Sequence, residues 1–403
     1  MDKQEKRVIE IGAVSAEEVL EEVMNGQNKE EDIHSTSEEI IEPKTDDSQN
    51  EEETMESLAK DDESEEKEPM KDSSEKTTKS IYELLEEDIM ASNIPDSEKT
   101  KKLSRLIRIR NKKVNIMLVG STGSGKSSTV NAMFNMDIAK VGVGVDPETS
   151  SISKFELDNL IIWDTPGLGD GVENDKRITK SIIAKLNETD EKGNPLIDMV
   201  LVIMDASSKD LGTSYDLINN VLIPCLGKES EKRILIGLNQ SDIAMKGTHW
   251  LAYKNEPDKT LSEFLKKKAD SVQKRIKEAT GLDIQPVCYC AGYKEEGGEQ
   301  RKPYNLTKLL YHIVMMIPRE KRLALADNIN SEEDNWKYDD HESDYRGGTQ
   351  RGFCDTVWDC ISDGAEAGCE IGGKILGIPG NIVGGIIGGA VGAIAGIFGA
   401  IFG

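Results

Sequence analysis

The apolar run Val114-Asn115-Ile116-Met117-Leu118-Val119 leads without interruption into Gly120-Ser121-Thr122-Gly123-Ser124-Gly125-Lys126-Ser127. Few folds accommodate that junction. A buried strand must hand over to a tight glycine-rich loop, and the loop to a helix, which is the phosphate-binding G-x-x-x-x-G-K-S arrangement of an α/β sheet. The glycines let successive backbone N–H groups turn inward toward a diphosphate. Lys126 adds a point charge for the β and γ phosphates, and the Ser127 hydroxyl is a ligand for Mg²⁺. Residues 127 to 135 continue as a helix whose N-terminus faces the same anion, so Gly120 to Ser128 are the candidate phosphate-binding residues.

The rest of the chain is not uniformly globular. Residues 1 to 100 carry 33 Asp or Glu against 11 Lys or Arg, so −22 of the formal −25 charge lies there. Between Gln27 and Lys79 aromatic and β-branched residues are scarce, and such a stretch cannot bury enough apolar area to offset its ordering entropy. We therefore divide the chain into an acidic, mostly disordered region (1–79), a helical basic lead-in (80–113), a nucleotide-binding domain (114–328), a linker (329–352) and a hydrophobic glycine-rich segment (353–403). Ser15 to Glu18 and Ser80 to Glu83 each fit a capping box ahead of an apolar stripe. Lys101, Lys102, Arg105, Arg108, Arg110, Lys112 and Lys113 follow, and a solvated helix face explains them better than contact with RNA or anionic lipid.

Six cysteines show no C-x-x-C pair and four histidines no ligand spacing, so no metal site of protein ligands is indicated. Met1-Asp2-Lys3-Gln4-Glu5 lacks the apolar core of a signal peptide, which points to a reducing cytosol and free thiols.

Downstream of the phosphate loop the elements keep one order. Residues 140 to 151 form a glycine-rich loop able to order around a γ-phosphate, with Thr149 as candidate second Mg²⁺ ligand and Ser150 and Ser151 as alternatives. After the Asp158-Asn159 turn, Leu160 to Trp163 read as a strand ending in Asp164-Thr165-Pro166-Gly167. This D-x-x-G element sits at a strand's carboxyl end, where ligands bind in such sheets. Asp164 is placed to hold Mg²⁺ and the Gly167 N–H to meet the γ-phosphate. Met199 to Met204 and Ile234 to Leu238 read as further buried parallel strands. The second ends in Asn239-Gln240-Ser241-Asp242, where the Asp242 carboxylate can accept from both the N1 and the 2-amino group of guanine. Asn239 would tie this loop to the phosphate loop. After a last strand at Ile284 to Tyr289, Cys290-Ala291-Gly292 can set a backbone N–H against the guanine O6.

With these elements in this order the chain resembles the Era/HSR1-like GTPases of the translation-factor-related P-loop class. It is most similar to bacterial GTPases that share DPET (Asp146 to Thr149), WDTPGLGDG (Trp163 to Gly171) and N-Q-x-D-x-A-M-K-G-x-H-W (Asn239 to Trp250). The likeness covers roughly residues 112 to 345. It implies a Ras-like G domain with a mostly parallel sheet, GTP and GDP as ligands, Mg²⁺ as cofactor, and hydrolysis of GTP to GDP and phosphate assisted by Lys126, Thr149 and Gly167. Two departures bear on rate and affinity. Gln240 stands where the family pattern has lysine, which shortens the stem that covers the base. Leu168 stands where Ras-type enzymes carry a water-orienting glutamine, and a leucine cannot orient water. Slow intrinsic turnover follows, with activation by a second protomer across the nucleotide face, by a partner's arginine, or by Arg177 or Lys176. A ribosome or nucleic-acid partner ranks last.

After Lys374 no charged residue occurs, and Asn381 to Phe402 as a helix would span about 33 Å against a hydrocarbon core of about 30 Å. Gly380, Gly384, Gly388, Gly392 and Gly396 recur every fourth residue, as do Gly364, Gly368 and Gly372 upstream, a spacing that lets helices approach closely. Residues 364–403 read either as a membrane element at the inner face of the cell membrane or as a self-association segment.

Overall fold

The structure, a computed structural model, describes residues 80–134, 144–145, 152–294, 300–361 and 399. The acidic region, the capping box at Ser15, Thr149 with its alternatives Ser150 and Ser151, and the glycine repeats from Gly364 onward lie outside the described residues.

The sheet is built from β1 (Val114–Gly120), β2 (Gly144–Val145), β3 (Ser153–Leu157), β4 (Leu160–Asp164), β5 (Met199–Asp205), β6 (Ile234–Asn239) and β7 (Val287–Cys288), in the order β2-β3-β4-β1-β5-β6-β7. From β4 across β1, β5 and β6 to β7 the pairing is parallel, with Ile116 opposite both Ile162 and Met199. The β3 and β2 pairs are antiparallel. The Asp158-Asn159 turn makes the β3–β4 hairpin possible, with Asp158 in the left-handed region at φ 41°. All seven residues of β1 are buried, as an apolar run without alternation requires when helices cover both faces of a sheet.

Helices α1 (Ile81–Ala91), α2 (Asp96–Arg110), α3 (Lys126–Met133), α4 (Val172–Leu186), α5 (Gly212–Leu217), α6 (Lys259–Thr280), α7 (Leu306–Met316) and α8 (Tyr345–Ile361) surround it. One face carries the main core. Ile116, Leu118, Leu201 and Ile203 of the central strands pack there with Ile81, Leu85 and Ile89 of α1, Leu309, Leu310 and Ile313 of α7, and Phe353 and Val357 of α8. The start of α1 is held twice. Ser80 and Glu83 form the capping box, and the Asp327 carboxylate accepts from the Ser80 hydroxyl and the Ile81 N–H, both at 2.6 Å.

The stretch expected as a linker, 329–352, is packed in the structure. Ile329 bridges to Phe134, the Asn330 N–H donates to Met133 O, and Trp336 is fully buried with its indole N–H on Asn330 O at 2.7 Å. A single tryptophan among Asp and Asn gives no periodic signal, yet its burial outweighs the polarity around it. The strap delivers the chain into α8, which lies against α7 so closely that a Cβ on Gly348 would stand 2.6 Å from the Tyr311 ring. The basic run is in part structurally engaged: Lys112 pairs with Glu320 at 3.5 Å, and Lys113 with Glu156.

Candidate nucleotide site

Every element of the site hangs from the carboxyl edge of the sheet. β1 ends in Gly120 at φ 155°, and a Cβ there would meet Ile203 O of the neighbouring strand at 2.2 Å. Gly125 caps α3 in the left-handed conformation, φ 89°, with the Asn239 amide where its Cβ would be. Both positions demand glycine, for backbone approach and for φ. Lys126 is buried and its Nζ donates to the carbonyls of Gly120 and Ser121, each at 3.2 Å. Burial lowers its pKa, opposed by the carboxylates of Asp164 and Asp170. Ser127 and Ser128 stand exposed on the first turn of α3.

Asp164 ends β4 beside this loop. Its Oδ1 is buried and has no hydrogen-bond partner, and burial pushes its carboxyl up to about 6 although the Lys126 ammonium pulls the other way. An orphaned, costly carboxylate oxygen facing a phosphate loop suits a divalent cation. Ser127 and Asp164 would offer hard oxygen ligands of the kind Mg²⁺ takes. Among the described residues there is no group of three or more His, Cys, Asp or Glu able to hold a metal.

The segment after Asp164 lies directly on the phosphate loop. The Leu168 N–H donates to Gly120 O at 3.2 Å and the Thr122 N–H to Leu168 O at 3.0 Å, a one-rung bridge. A Cβ on Gly167 would stand 2.2 Å from Thr122 Oγ1, so the D-x-x-G glycine is required by the contact itself. Leu168 is 4% exposed. Gly169 N–H donates to both oxygens of Asp175 on α4, and the Thr122 hydroxyl donates to Asp170 at 2.7 Å. Sequence reading gave Asp170 and Asp175 no role, and it gave Thr122 only a place in the phosphate loop, because these contacts lie outside the motif pattern.

The base side is assembled around Asn239. Its amide nitrogen donates to Ser124 O at 2.9 Å and its Oδ1 accepts from the Ala291 N–H at 3.0 Å, so one side chain joins the phosphate loop, β6 and the loop after β7. Gln240, at φ 62°, donates its amide to Gly123 O at 2.7 Å. A cavity of about 230 Å³ opens between these loops, lined among others by Asn239, Gln240, Asp242, Ala291 and Arg301. Asp242 is buried, and desolvation raises its pKa while hydrogen bonds from its own backbone N–H and that of Ile243, together with the Arg301 guanidinium, lower it. Cys290, Ala291 and Gly292, expected to set a backbone N–H against the guanine O6, line this cavity. The Cys290 N–H is donated to Tyr304 O and the Ala291 N–H to Asn239, so both are already engaged within the protein. Tyr289, which precedes them, is fully buried with its hydroxyl 2.8 Å from Thr129 on α3.

Phosphate loop, Asp164 at a strand end, and an Asn-x-x-Asp pocket on one sheet edge define a P-loop GTP-binding domain. Residues 114–278, about two fifths of the chain, match the model of the AIG1 family. No curated protein matches the chain. Among solved structures it is similar to "LeoA bacterial dynamin GTPase from ETEC" at 19% identity and a TM-score of 0.33, over 61% of this chain and 42% of that one. It is also similar to Toc33 from Arabidopsis thaliana in complex with Mg²⁺ and GMPPNP, at 19% identity and 0.31, over 51% and 82% of the two chains. A third is a probable GTP-binding protein engB, at 16% identity and 0.31, over 50% and 98%. This chain thus spans about two fifths of the length of LeoA.

Proposed function

We propose that the chain is a GTP-dependent switch of the Era/HSR1-like type that slowly hydrolyses GTP to GDP and phosphate. The observation that carries this is the double tie of Asn239, which sets the Asp242 pocket at a fixed distance from Ser124 and so from the phosphate loop. In this reading Asp242 accepts from the N1–H and 2-amino group of guanine, and Lys126 with the loop amides bears the charge that builds on the transferring phosphoryl oxygens. Ser127, Asp164 and Thr149 would hold Mg²⁺, which would neutralise phosphate charge when bound. Gly167 and Leu168, now on the phosphate loop, move when a γ-phosphate arrives. The test is binding of fluorescent GDP and ATP analogues to the wild type and to Asp242→Asn. Loss of guanine binding with gain of xanthosine nucleotides is expected, and an unchanged preference would overturn the reading.

A non-catalytic, GTP-dependent scaffold is the second reading, favoured by Leu168. A buried apolar side chain stands where water would be oriented. Ile243, exposed on the lining of the cavity, offers apolar surface for assembly of two copies across the nucleotide. Background phosphate release together with GTP-promoted dimers would select it. For the glycine-rich segment 364–403 we propose attachment to the inner face of the cell membrane from a cytoplasmic protein, supported by its length and by the absence of charged residues after Lys374. Among the described residues no helix is long and apolar enough to cross a membrane. Liposome flotation of the full chain against one ending at Ile361 decides this: a segment that does not float the protein is an assembly element.

A further inference from the structure

The guanine pocket poses an electrostatic problem. To recognise guanine Asp242 must be ionised, because only a carboxylate accepts from N1–H and the 2-amino group together. The same residue is 8% exposed, and a carboxylate taken out of water tends to keep its proton unless a cation or several donors hold the charge. The error would change specificity and not only affinity. A protonated carboxyl offers an O–H to adenine's N1, an acceptor, and loses half of its match to guanine.

The basic side chain in ion-pair range of Asp242 is Arg301, whose Nη1 lies 3.5 Å from Asp242 Oδ2. It does not come from the Asn-x-x-Asp loop. Arg301 ends the short antiparallel pair in which Tyr293 faces Arg301 and Lys294 faces Gln300, and it lines the cavity from that side. Its backbone is pinned at the pocket. Gly292, at φ 77°, packs so close that a Cβ there would stand 2.5 Å from Arg301 O and 3.2 Å from the Pro303 ring. Immediately after Pro303, the mutual hydrogen bonds of Cys290 and Tyr304, 3.0 Å each, close the base of the same turn. The side chain itself is half exposed, reaching from solvent to one carboxylate oxygen. Gln240 is not available for this task, since its amide is committed to Gly123 O.

We infer that Arg301 is a specificity-determining positioning residue of the guanine site: it pairs with one oxygen of Asp242 from the cavity rim, keeping the carboxylate charged and aimed at the base. This rests on the GTP-binding reading above. A guanidinium suits the role because it stays protonated at any working pH and is weakly hydrated at a half-buried site. Removing it leaves a buried charge with less compensation, the kind of loss that costs more than a surface pair.

The experiment uses the full-length chain and fluorescent GDP and ADP analogues. Arg301→Ala is expected to weaken GDP about tenfold, as loss of a charge-assisted partner does, and to narrow the gap between GDP and ADP. Arg301→Lys, which keeps the charge, should recover most of both. The same Arg301→Ala change made on Asp242→Asn should alter xanthosine diphosphate binding less than twofold, since no carboxylate remains to be held. Arg301→Ala binding GDP within twofold of the wild type with unchanged selectivity overturns the inference. So does an equal loss in the Asp242→Asn background, which would place Arg301 in the fold of the hairpin instead. A wild type that does not bind GDP at all rejects the GTP-binding reading, and that is seen before any variant is made.

Discussion

The Thr122 hydroxyl donates to Asp170 Oδ2 at 2.7 Å and thereby fastens the phosphate loop to the segment that must respond to a γ-phosphate. With the Leu168 bridge and the Gly169–Asp175 bonds it makes a short latch, anchored at one end on β1 and at the other on α4. Both Thr122 and Asp170 reach solvent, so the hydrogen bond competes with water and can open without loss of the core.

Cutting the latch should change nucleotide exchange before it changes stability. Asp170→Ala removes an exposed, charge-assisted bond worth about 1 kcal/mol, so release of a fluorescent GDP analogue should speed or slow by about fivefold while the melting temperature moves little. Stopped-flow displacement measures it. Release within a factor of 1.5 of the wild type would mean that the contact does not participate in the switch.

Asp164 gives a pH signature. Its folded pKa, pushed up to about 6 by burial, lies above the 3.8 of a free aspartate, so the folded state holds the proton more tightly than the unfolded one. The folded state is therefore penalised as pH rises through that window: the cost is absent below 3.8 and complete above 6. Asp164→Asn, which stays neutral, should stabilise the nucleotide-free, Mg²⁺-free protein at pH 8 by roughly 1–3 kcal/mol and make no difference near pH 4. The same substitution should abolish Mg²⁺-dependent tightening of nucleotide binding. Thermal melts of both proteins across pH 4 to 8 check the first claim, and equal melting temperatures at pH 8 refute it.

Much of this site can be read in the residue order. The run into Gly120 to Ser127 announces strand, loop and helix because glycine spacing and an unbroken apolar stretch are local properties, and the structure places both where the pattern does. The Asn239 tie follows for the same reason, since a polar residue ending a buried strand must find its partners at the sheet edge. Arg301 could not be read in this way. It is 59 positions from Asp242, in a segment of mixed polarity, and only the Gly292 turn brings it back to the pocket. Trp336 was equally hidden. A strap that buries one large side chain among acids looks like a linker until its core contact is seen.

The α7–α8 seam separates two glycines that sequence treats alike. Replacing glycine by alanine inside a helix gains up to about 1 kcal/mol of propensity, and the sign at each site depends on what the new methyl meets. At Gly352 the nearest atoms are Met315 Cε at 2.9 Å, the end of a flexible chain, and Val314 Cγ1 at 3.1 Å, so Gly352→Ala should fall within about 1 kcal/mol of neutral. At Gly348 the methyl would meet the rigid Tyr311 ring at 2.6 Å, and Gly348→Ala should destabilise by about 1–3 kcal/mol. Urea unfolding of the two variants tests the ordering, which a reversed pair would contradict.

Asp327 is the last case, and it concerns how the basic lead-in is attached to the G domain. Its carboxylate takes two short hydrogen bonds from the start of α1, one from the Ser80 hydroxyl and one from the Ile81 N–H, while burial pushes its pKa up against them. Removing it leaves a helix N-terminus with a buried N–H unpaired, and the Ser80–Glu83 capping box can replace only part of what is lost. Asp327→Ala should therefore cost about 1–2 kcal/mol, and the loss should fall on α1 rather than on the phosphate loop. Hydrogen exchange resolves the two. Faster exchange confined to residues 81–91, with GDP affinity within twofold of the wild type, is the expected result. Exchange that rises uniformly through β1 and α3 would show instead that α1 is part of the cooperative core that positions Lys126.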